Sequence, residues 1–205
     1  MIKLHHLNKS RSKRILWLLE ELGVDYQVVP YQRDAVTFLA PPELKVVHPL
    51  GKSPVIEDNG MVITESGAIT EYLIETYGEG NFAPQRGTQA YIDYSQWLHF
   101  AESSAILPLL LKLFVEKDGC ETNFLAGYAD VEIAKVIGYF EQRLEGKTYL
   151  VGDSLTGADM MMSFIVEALQ GRNALGLYPN IAKYADLLAS HPAYNKADEI
   201  EIKYS

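Results

Sequence analysis

Residues 51–73 read GKSPVIEDNGMVITESGAITEYL, and the fold turns on how they are parsed. Two short apolar runs, PVIED and MVIT, flank Asn59-Gly60. An Asn-Gly pair in that setting is the strongest short-range signal for a two-residue hairpin turn, because both turn residues need positive φ. Ala68, Ile69, Tyr72, Leu73 and Tyr77 then recur at helical spacing. Two features sit awkwardly in this hairpin-plus-helix. Pro54 opens an apolar strand, where proline calls for an edge or a special turn. On the residues alone its bond would be trans, since only about 5–6% of X–Pro bonds in folded proteins are cis. Glu65-Ser66 stands where the helix begins, as a plain cap or as a grip on a charged ligand.

Upstream, IKLHHL (2–7) reads as a first strand. From Ser12 onward Ile15, Leu18, Leu19 and Leu22 recur at i, i+3, i+4 and i+7, an amphipathic helix ending at Gly23 as its C′ glycine. YQVVPY (26–31) reads as a second strand. Pro41-Pro42 and His48-Pro49 leave room in 32–50 only for a short, irregular helix. Residues 1–78 therefore form a small α/β domain with a mixed sheet.

Residues 78–87 (GEGNFAPQRG) have linker composition, placing the join at 79–87. Beyond it the strand signals vanish. Segments 88–118, 123–145, 156–171 and 179–190 read as helices, with turns at Gly119, Gly146, Gly152 and Gly176, so 88–205 is an all-helical domain. Within LTGADMMMSF (155–164), Thr156 and Asp159 form a capping box, with Leu155 and Met160 at the staple positions. Met161, Phe164, Ile165 and Ala168 supply its buried stripe. This is an element of folding and stability. The fold class is α/β plus all-α.

Hydrophobic residues at 48% and charged residues at 22% describe an ordinary soluble globular chain. No run approaches the roughly 18 apolar residues of a membrane helix, and MIKLHHLNKS lacks an apolar signal core. The expectation is a cytoplasmic protein with no membrane partner. A single cysteine, Cys120, excludes an internal disulfide framework and a Cys-x-x-Cys metal or redox motif. His5-His6 has no metal-ligand spacing, so no metal is expected. A net charge of −9 argues against nucleic acid as the main partner. Yet Lys9, Arg11, Lys13 and Arg14 crowd one short segment of this acidic chain.

Three stretches now fall into one order: NKSRSKRILWLLEELG, HPLGKSPVIEDNGMVITESGAITEYL and LTGADMMMSF, followed by HPAYNKA near the end. Together they resemble the glutathione S-transferases, closest to a serine-type, fungal and bacterial branch, over nearly the whole chain. The resemblance implies a thioredoxin-like N-terminal domain followed by an all-helical C-terminal domain. It also implies that Pro54 is a cis-proline, reversing the reading above, with Ser53 offering its backbone to the cysteinyl part of glutathione. Glu65 and Ser66 match the pair that holds the γ-glutamyl end. That end carries an ammonium and a carboxylate, so an anionic acceptor beside a helix N-terminus suits it chemically. Lys52 would serve the glycine carboxylate at the other end.

Glutathione conjugation needs a thiolate, since the thiol itself is a poor nucleophile. A hydroxyl donor at a helix N-terminus stabilises such an anion through its hydrogen bond and the helix dipole. By resemblance Ser10, four residues before Arg14 and between the first strand and first helix, is that donor. Ser12 is its rival and is otherwise a helix cap. Arg11 would contact the thiolate or substrate, the basic group would steer anionic glutathione, and Arg14 has a structural role. No tyrosine or cysteine stands in this segment, which disfavours the tyrosine- and cysteine-type chemistries. His48, where relatives often carry asparagine, is read as structural, and Cys120 as a bystander thiol. Glu102 is a candidate to reach across a dimer interface toward the γ-glutamyl amine.

The expectation is a cytoplasmic, homodimeric detoxification transferase. It would join glutathione, as co-substrate with no separate cofactor, to a small hydrophobic electrophile bound between the first domain and helix 88–118. Two alternatives remain open: a glutathione-dependent peroxidase acting on organic hydroperoxides, and a non-catalytic transferase-like interaction module.

Overall fold

The computed structural model describes residues 1–204. Its elements run β1 (Ile2–Leu7), α1 (Ser12–Leu22), β2 (Tyr26–Tyr31), α2 (Leu44–Val47), β3 (Val55–Asp58), β4 (Met61–Thr64) and α3 (Ser66–Tyr77). Helices follow: α4 (Gln89–Phe100), α5 (Ile106–Asp118), α6 (Leu125–Arg143), α7 (Gly157–Gly171), α8 (Pro179–Ala189) and α9 (Pro192–Lys203). Contacts divide the chain into two units. One is Met1–Phe82 together with the segment from Leu188 onward, and the other is Ala83–Leu187. The sequence reading carried the helical domain to the C-terminus and gave no separate helix at 192–203.

The sheet of the first unit has the order β2-β1-β3-β4, with β1 parallel to β2 and antiparallel to β3, and β3 antiparallel to β4. That is the mixed sheet expected of a thioredoxin-like domain. The hairpin turns at Asn59 and Gly60, both at positive φ, as the Asn-Gly pair predicts. Pro30 is accommodated because β2 is an edge strand. Central β1 does not alternate. Five of its six residues are buried, His5 and His6 among them, because both faces are covered.

Helix α1 also buries more than one stripe. Ile15, Leu16, Trp17, Leu18 and Leu19 are all inaccessible, while Leu22 is only half-buried. The reason is α9, which packs on α1 in addition to β1 and α3. The Tyr194 ring meets Trp17 edge-on at 5.0 Å, and Trp17 Nε1 donates to Glu21 Oε1 at 2.8 Å. Tyr194, Ala197, Asp198 and Glu201 recur at i, i+3, i+4 and i+7, so they share one face of α9. Asp58 fastens the hairpin to α3, accepting hydrogen bonds from Tyr72 (2.8 Å) and Tyr77 (2.5 Å). The bond to Asp58, with burial behind it, pushes the Tyr77 hydroxyl up to about 12.

In the second unit α4 and α5 form one run interrupted by a π-helical turn at Ala101–Ala105. Pro108 explains the interruption. Its ring would press on the carbonyl four residues back, at Ser104, and the wider turn relieves that contact. By length and composition Gln89–Asp118 could cross a membrane, with mean hydropathy of 1.5 over its best window. This corrects the expectation that no run comes near, although core helices of soluble bundles pass the same test.

Asp159 organises the start of α7. Its Oδ2 accepts the Thr156 N–H and hydroxyl, both at 2.8 Å, and its Oδ1 accepts the Leu150 N–H at 3.0 Å and the Tyr184 hydroxyl at 2.7 Å. Burial pushes the Asp159 carboxyl up, and those donors work against it. Both staple residues, Leu155 and Met160, are buried. The buried face differs from the sequence stripe: Met161, Met162, Ile165, Val166 and Leu169 are buried, whereas Phe164 and Ala168 are half-buried.

Candidate functional site

Strand register gathers the predicted residues of the first unit at one end of its sheet. His5 pairs with Val55 and Val55 with Thr64. The end of β1 leading to Ser10, the start of β3 at Ser53-Pro54 and the end of β4 at Glu65-Ser66 therefore lie side by side. The Ser53–Pro54 bond is cis, the geometry the resemblance implies. The Ser53 side chain is turned into the sheet. Its hydroxyl donates to the His5 carbonyl at 2.7 Å and accepts the Leu7 N–H at 3.2 Å. Ser53 thus ties the loop to β1 by its side chain.

Glu65 precedes α3 with φ 69° and ψ 121°, an unusual backbone for a residue with a side chain, and makes no side-chain cap. Such a conformation costs about 1–3 kcal/mol and collects at ligand sites. Ser66 is the first helical residue and is buried. Neither residue is therefore a plain side-chain cap. Glu65 is exposed with its carboxylate available, and the first-turn N–H groups of α3 lack intrahelical acceptors by construction. Lys52 is exposed beside the same loop.

Ser10 lies in the turn between β1 and α1, 7% exposed. Its Oγ accepts the Ser12 N–H at 3.2 Å and sits 2.8 Å from Ser12 Oγ. Ser12 is fully buried and does not cap α1, whose N-cap position is Arg11 with no side-chain bond. Instead, Ser12 Oγ lies 2.7 Å from His6 Nδ1 and 3.2 Å from the Leu7 carbonyl. Of the two candidates, Ser10 is the less deeply buried residue, and Ser12 Oγ lies against its hydroxyl.

Beyond His6 comes Glu201 of α9. His6 Nε2 is 3.2 Å from Glu201 Oε2, and the Lys9 N–H donates to Glu201 Oε1 at 2.6 Å. Burial alone would raise the Glu201 pKa, but the contacts with His6 and the Lys9 N–H, with the charges of His6 and Lys13, hold it below the ordinary range. A carboxylate depressed in the folded state contributes stability above its unfolded pKa and loses it as pH falls through the folded value. Urea melts across a series of acidic pH values should therefore show part of the acid loss disappearing in Glu201→Gln. An acid slope identical to wild type would contradict this.

The basic cluster is not one exposed patch. Arg14 is buried at 1% exposure, and Lys13 pairs with Asp198 while its Nζ lies 4.7 Å from the Tyr194 ring centre. Lys13 serves the α1–α9 contact and Arg14 is enclosed in the fold, which corrects the reading of the whole group as a steering surface. Arg11 remains beside Ser10. Burial first, then the charge of Arg11, depresses the Arg33 guanidinium, so Arg33 is a second cation of this neighbourhood that sequence reasoning missed. The Arg33 N–H is held by Asn8 Oδ1 at 2.7 Å.

The remaining candidates are His48, Cys120 and Glu102. His48 closes α2 through its backbone, its N–H reaching the Leu44 carbonyl and its carbonyl the Gly51 N–H. Exposed Cys120 lies 2.9 Å from Asp118 Oδ2, and that contact, with Asp118's charge, raises the thiol's pKa. A thiol so placed is poorly nucleophilic. Glu102 lies in the π-helical turn of the second unit. Among the described residues no group of three His, Cys, Asp or Glu side chains could hold a metal.

A mixed four-stranded sheet with a cis-proline opening β3, in a chain that continues into a helical unit, defines a thioredoxin-like protein with an all-α second part. Residues 1–75 match the glutathione S-transferase N-terminal domain, and residues 108–196 match the glutathione S-transferase C-terminal domain. The chain belongs to the glutathione S-transferase family. Glutathione S-transferase 3 of Schizosaccharomyces pombe is 34% identical over 97% of this chain and 87% of its own. A crystal structure of a glutathione S-transferase from Actinobacillus pleuropneumoniae is 40% identical, with a TM-score of 0.90 over 98% of this chain and 93% of that one. A glutathione transferase homologue from Lodderomyces elongisporus, solved with two glutathione molecules per subunit, is 26% identical with a TM-score of 0.83 over 97% and 98% of the two chains.

Proposed function

We propose that this chain is a serine-type glutathione transferase that joins the glutathione thiolate to small hydrophobic electrophiles. In this reading Glu65 and Ser66 hold the γ-glutamyl end, the Ser53 backbone pairs with the cysteinyl part, and Lys52 serves the glycine carboxylate. Ser10 donates its hydroxyl to the sulfur, and Arg11 adds positive charge nearby. One observation carries the reading: the end of β1, the cis-Pro54 turn and the strained Glu65 at the start of α3 adjoin at one end of the sheet, in a chain of this family. A tripeptide with charged ends and a central thiol matches that order of cation, open backbone, hydroxyl donor and carboxylate.

The reading includes a homodimer in the cytoplasm. Exposed apolar Met61 and Val62 on β4 support a partner surface. The test of function is glutathione-dependent conjugation of a chlorinated nitroarene by the purified protein, with an organic hydroperoxide assayed beside it. Conjugation with retention on a glutathione resin is expected. Failure of the protein to bind the resin would overturn the reading and favour an interaction module.

A further inference from the structure

The turn that carries Ser10 is held from the far end of the chain. It joins the end of β1 at Leu7 to the start of α1 at Ser12, and it reverses direction with Lys9 at φ 51°. That is left-handed backbone, which crowds Cβ against the following carbonyl and which lysine seldom adopts. The bond that accompanies it comes from α9. The Lys9 N–H donates to Glu201 Oε1 at 2.6 Å, across 192 residues of sequence. We propose that Glu201 is a positioning residue for Ser10, clamping the Asn8–Lys9 peptide so that the turn stays left-handed and the Ser10 hydroxyl stays beside the start of α1. This deepens the function proposed above and rests on it.

The neighbouring bonds fix the two ends of the turn and leave its middle to Glu201. On the strand side the Asn8 N–H reaches the Tyr31 carbonyl at 3.2 Å, and Asn8 Oδ1 accepts the Arg33 N–H at 2.7 Å. On the helix side the Ser12 N–H donates to Ser10 Oγ at 3.2 Å, and the Lys13 N–H to the Ser10 carbonyl at 3.4 Å. Lys9 stands between these anchors with its side chain exposed, so no packing of that side chain holds the conformation. A carboxylate that accepts a backbone N–H makes one of the stronger hydrogen bonds. The Glu201 side chain is itself placed firmly, at 15% exposure. Three residues further on, the Tyr204 carbonyl accepts the Gln32 side-chain amide, so the end of α9 also holds the chain where it leaves β2.

Without the clamp, Lys9 is free to return to negative φ. That rotation carries everything after its N–Cα bond, and Ser10 is the first residue to move. A hydroxyl so displaced loses the distance and angle that a hydrogen bond to sulfur demands. Glycine reaches either sign of φ without steric cost, whereas a β-branched residue resists the positive one. Residue 9 can therefore be made indifferent to the clamp, or opposed to it, with Glu201 left in place.

The test is the pKa of the glutathione thiol bound to the full-length protein, read from the ultraviolet absorbance of the thiolate, with glutathione affinity measured in parallel. Ser10→Ala should raise it. Glu201→Ala should raise it by about one unit and lower kcat/KM at neutral pH about tenfold. Affinity should change little, because the contacts proposed at Lys52, Ser53, Glu65 and Ser66 do not pass through this turn. Lys9→Gly added to Glu201→Ala should restore most of the loss. A role confined to the packing of α9, or to the His6 contact at the other carboxylate oxygen, would give no such rescue. In a Ser10→Ala background Glu201→Ala should add nothing, since it acts through that hydroxyl. Lys9→Val, at an exposed position, should reproduce the loss and carries the test if Glu201→Ala does not fold. A rise in Ser10→Ala with none in Glu201→Ala or Lys9→Val, or a loss that Lys9→Gly fails to restore, would overturn the clamp and leave the proposed function standing. No rise in Ser10→Ala would overturn both.

Discussion

Replacing Asp159 with alanine should cost the protein about 4 kcal/mol of stability, since it strips a common acceptor from donors that burial leaves no water to satisfy. The Leu150 N–H, the Thr156 N–H and hydroxyl, and the Tyr184 hydroxyl all converge on that carboxylate. A helix cap alone is worth about 1 kcal/mol, so the larger figure comes from the three further donors. Two of them tie α7 to the segment before it and to α8. Asp159→Asn, which keeps one oxygen and turns an amide toward the other donors, should fall about halfway. Urea melts followed by circular dichroism report both values. A loss below about 1 kcal/mol in Asp159→Ala would mean that the network relaxes onto water and that the cap is the whole effect.

Ser10→Ala should lower kcat/KM for glutathione conjugation by about 10- to 100-fold, the worth of one hydrogen bond to a charged acceptor. Glutathione affinity should hold, because the contacts proposed at Lys52, Ser53, Glu65 and Ser66 do not pass through Ser10. The loss should shrink at alkaline pH, where a thiol with an ordinary pKa near 8.5 ionises unaided. Stopped-flow or steady-state conjugation across pH separates these effects. Turnover equal to wild type at neutral pH would remove Ser10 from the mechanism.

Local chemistry made much of the first unit legible. Asn59-Gly60 announced the hairpin because few other pairs tolerate its turn, and the apolar spacing of residues 15–22 announced α1. The cis state of Pro54 was not legible from the residues, since an isolated X–Pro pair favours trans; only the family resemblance supplied it. The strain at Glu65 was equally silent, because it follows from where β4 must hand over to α3.

What the sequence hid came from long-range packing. His6 looked like one of two unremarkable histidines in a strand, and Glu201 like a charge in a polar tail. They meet because α9 lies on α1, and nothing periodic connects the two ends of the chain. A signal did exist in the spacing of Tyr194, Ala197, Asp198 and Glu201. It mixes one aromatic with two carboxylates, and so it does not read as a buried stripe. The basic cluster misled for the same reason, since two of its four members are used inside the fold.

A crystal structure of the protein with glutathione tests the central claim most directly. The account predicts the sulfur within about 3.5 Å of Ser10 Oγ, inside the reach of a hydroxyl-to-sulfur hydrogen bond. It also predicts the γ-glutamyl group at Glu65-Ser66 and the cysteinyl backbone against Ser53. A sulfur that contacts neither Ser10 nor any donor at the end of β1, or a tripeptide bound elsewhere on the sheet, would contradict it.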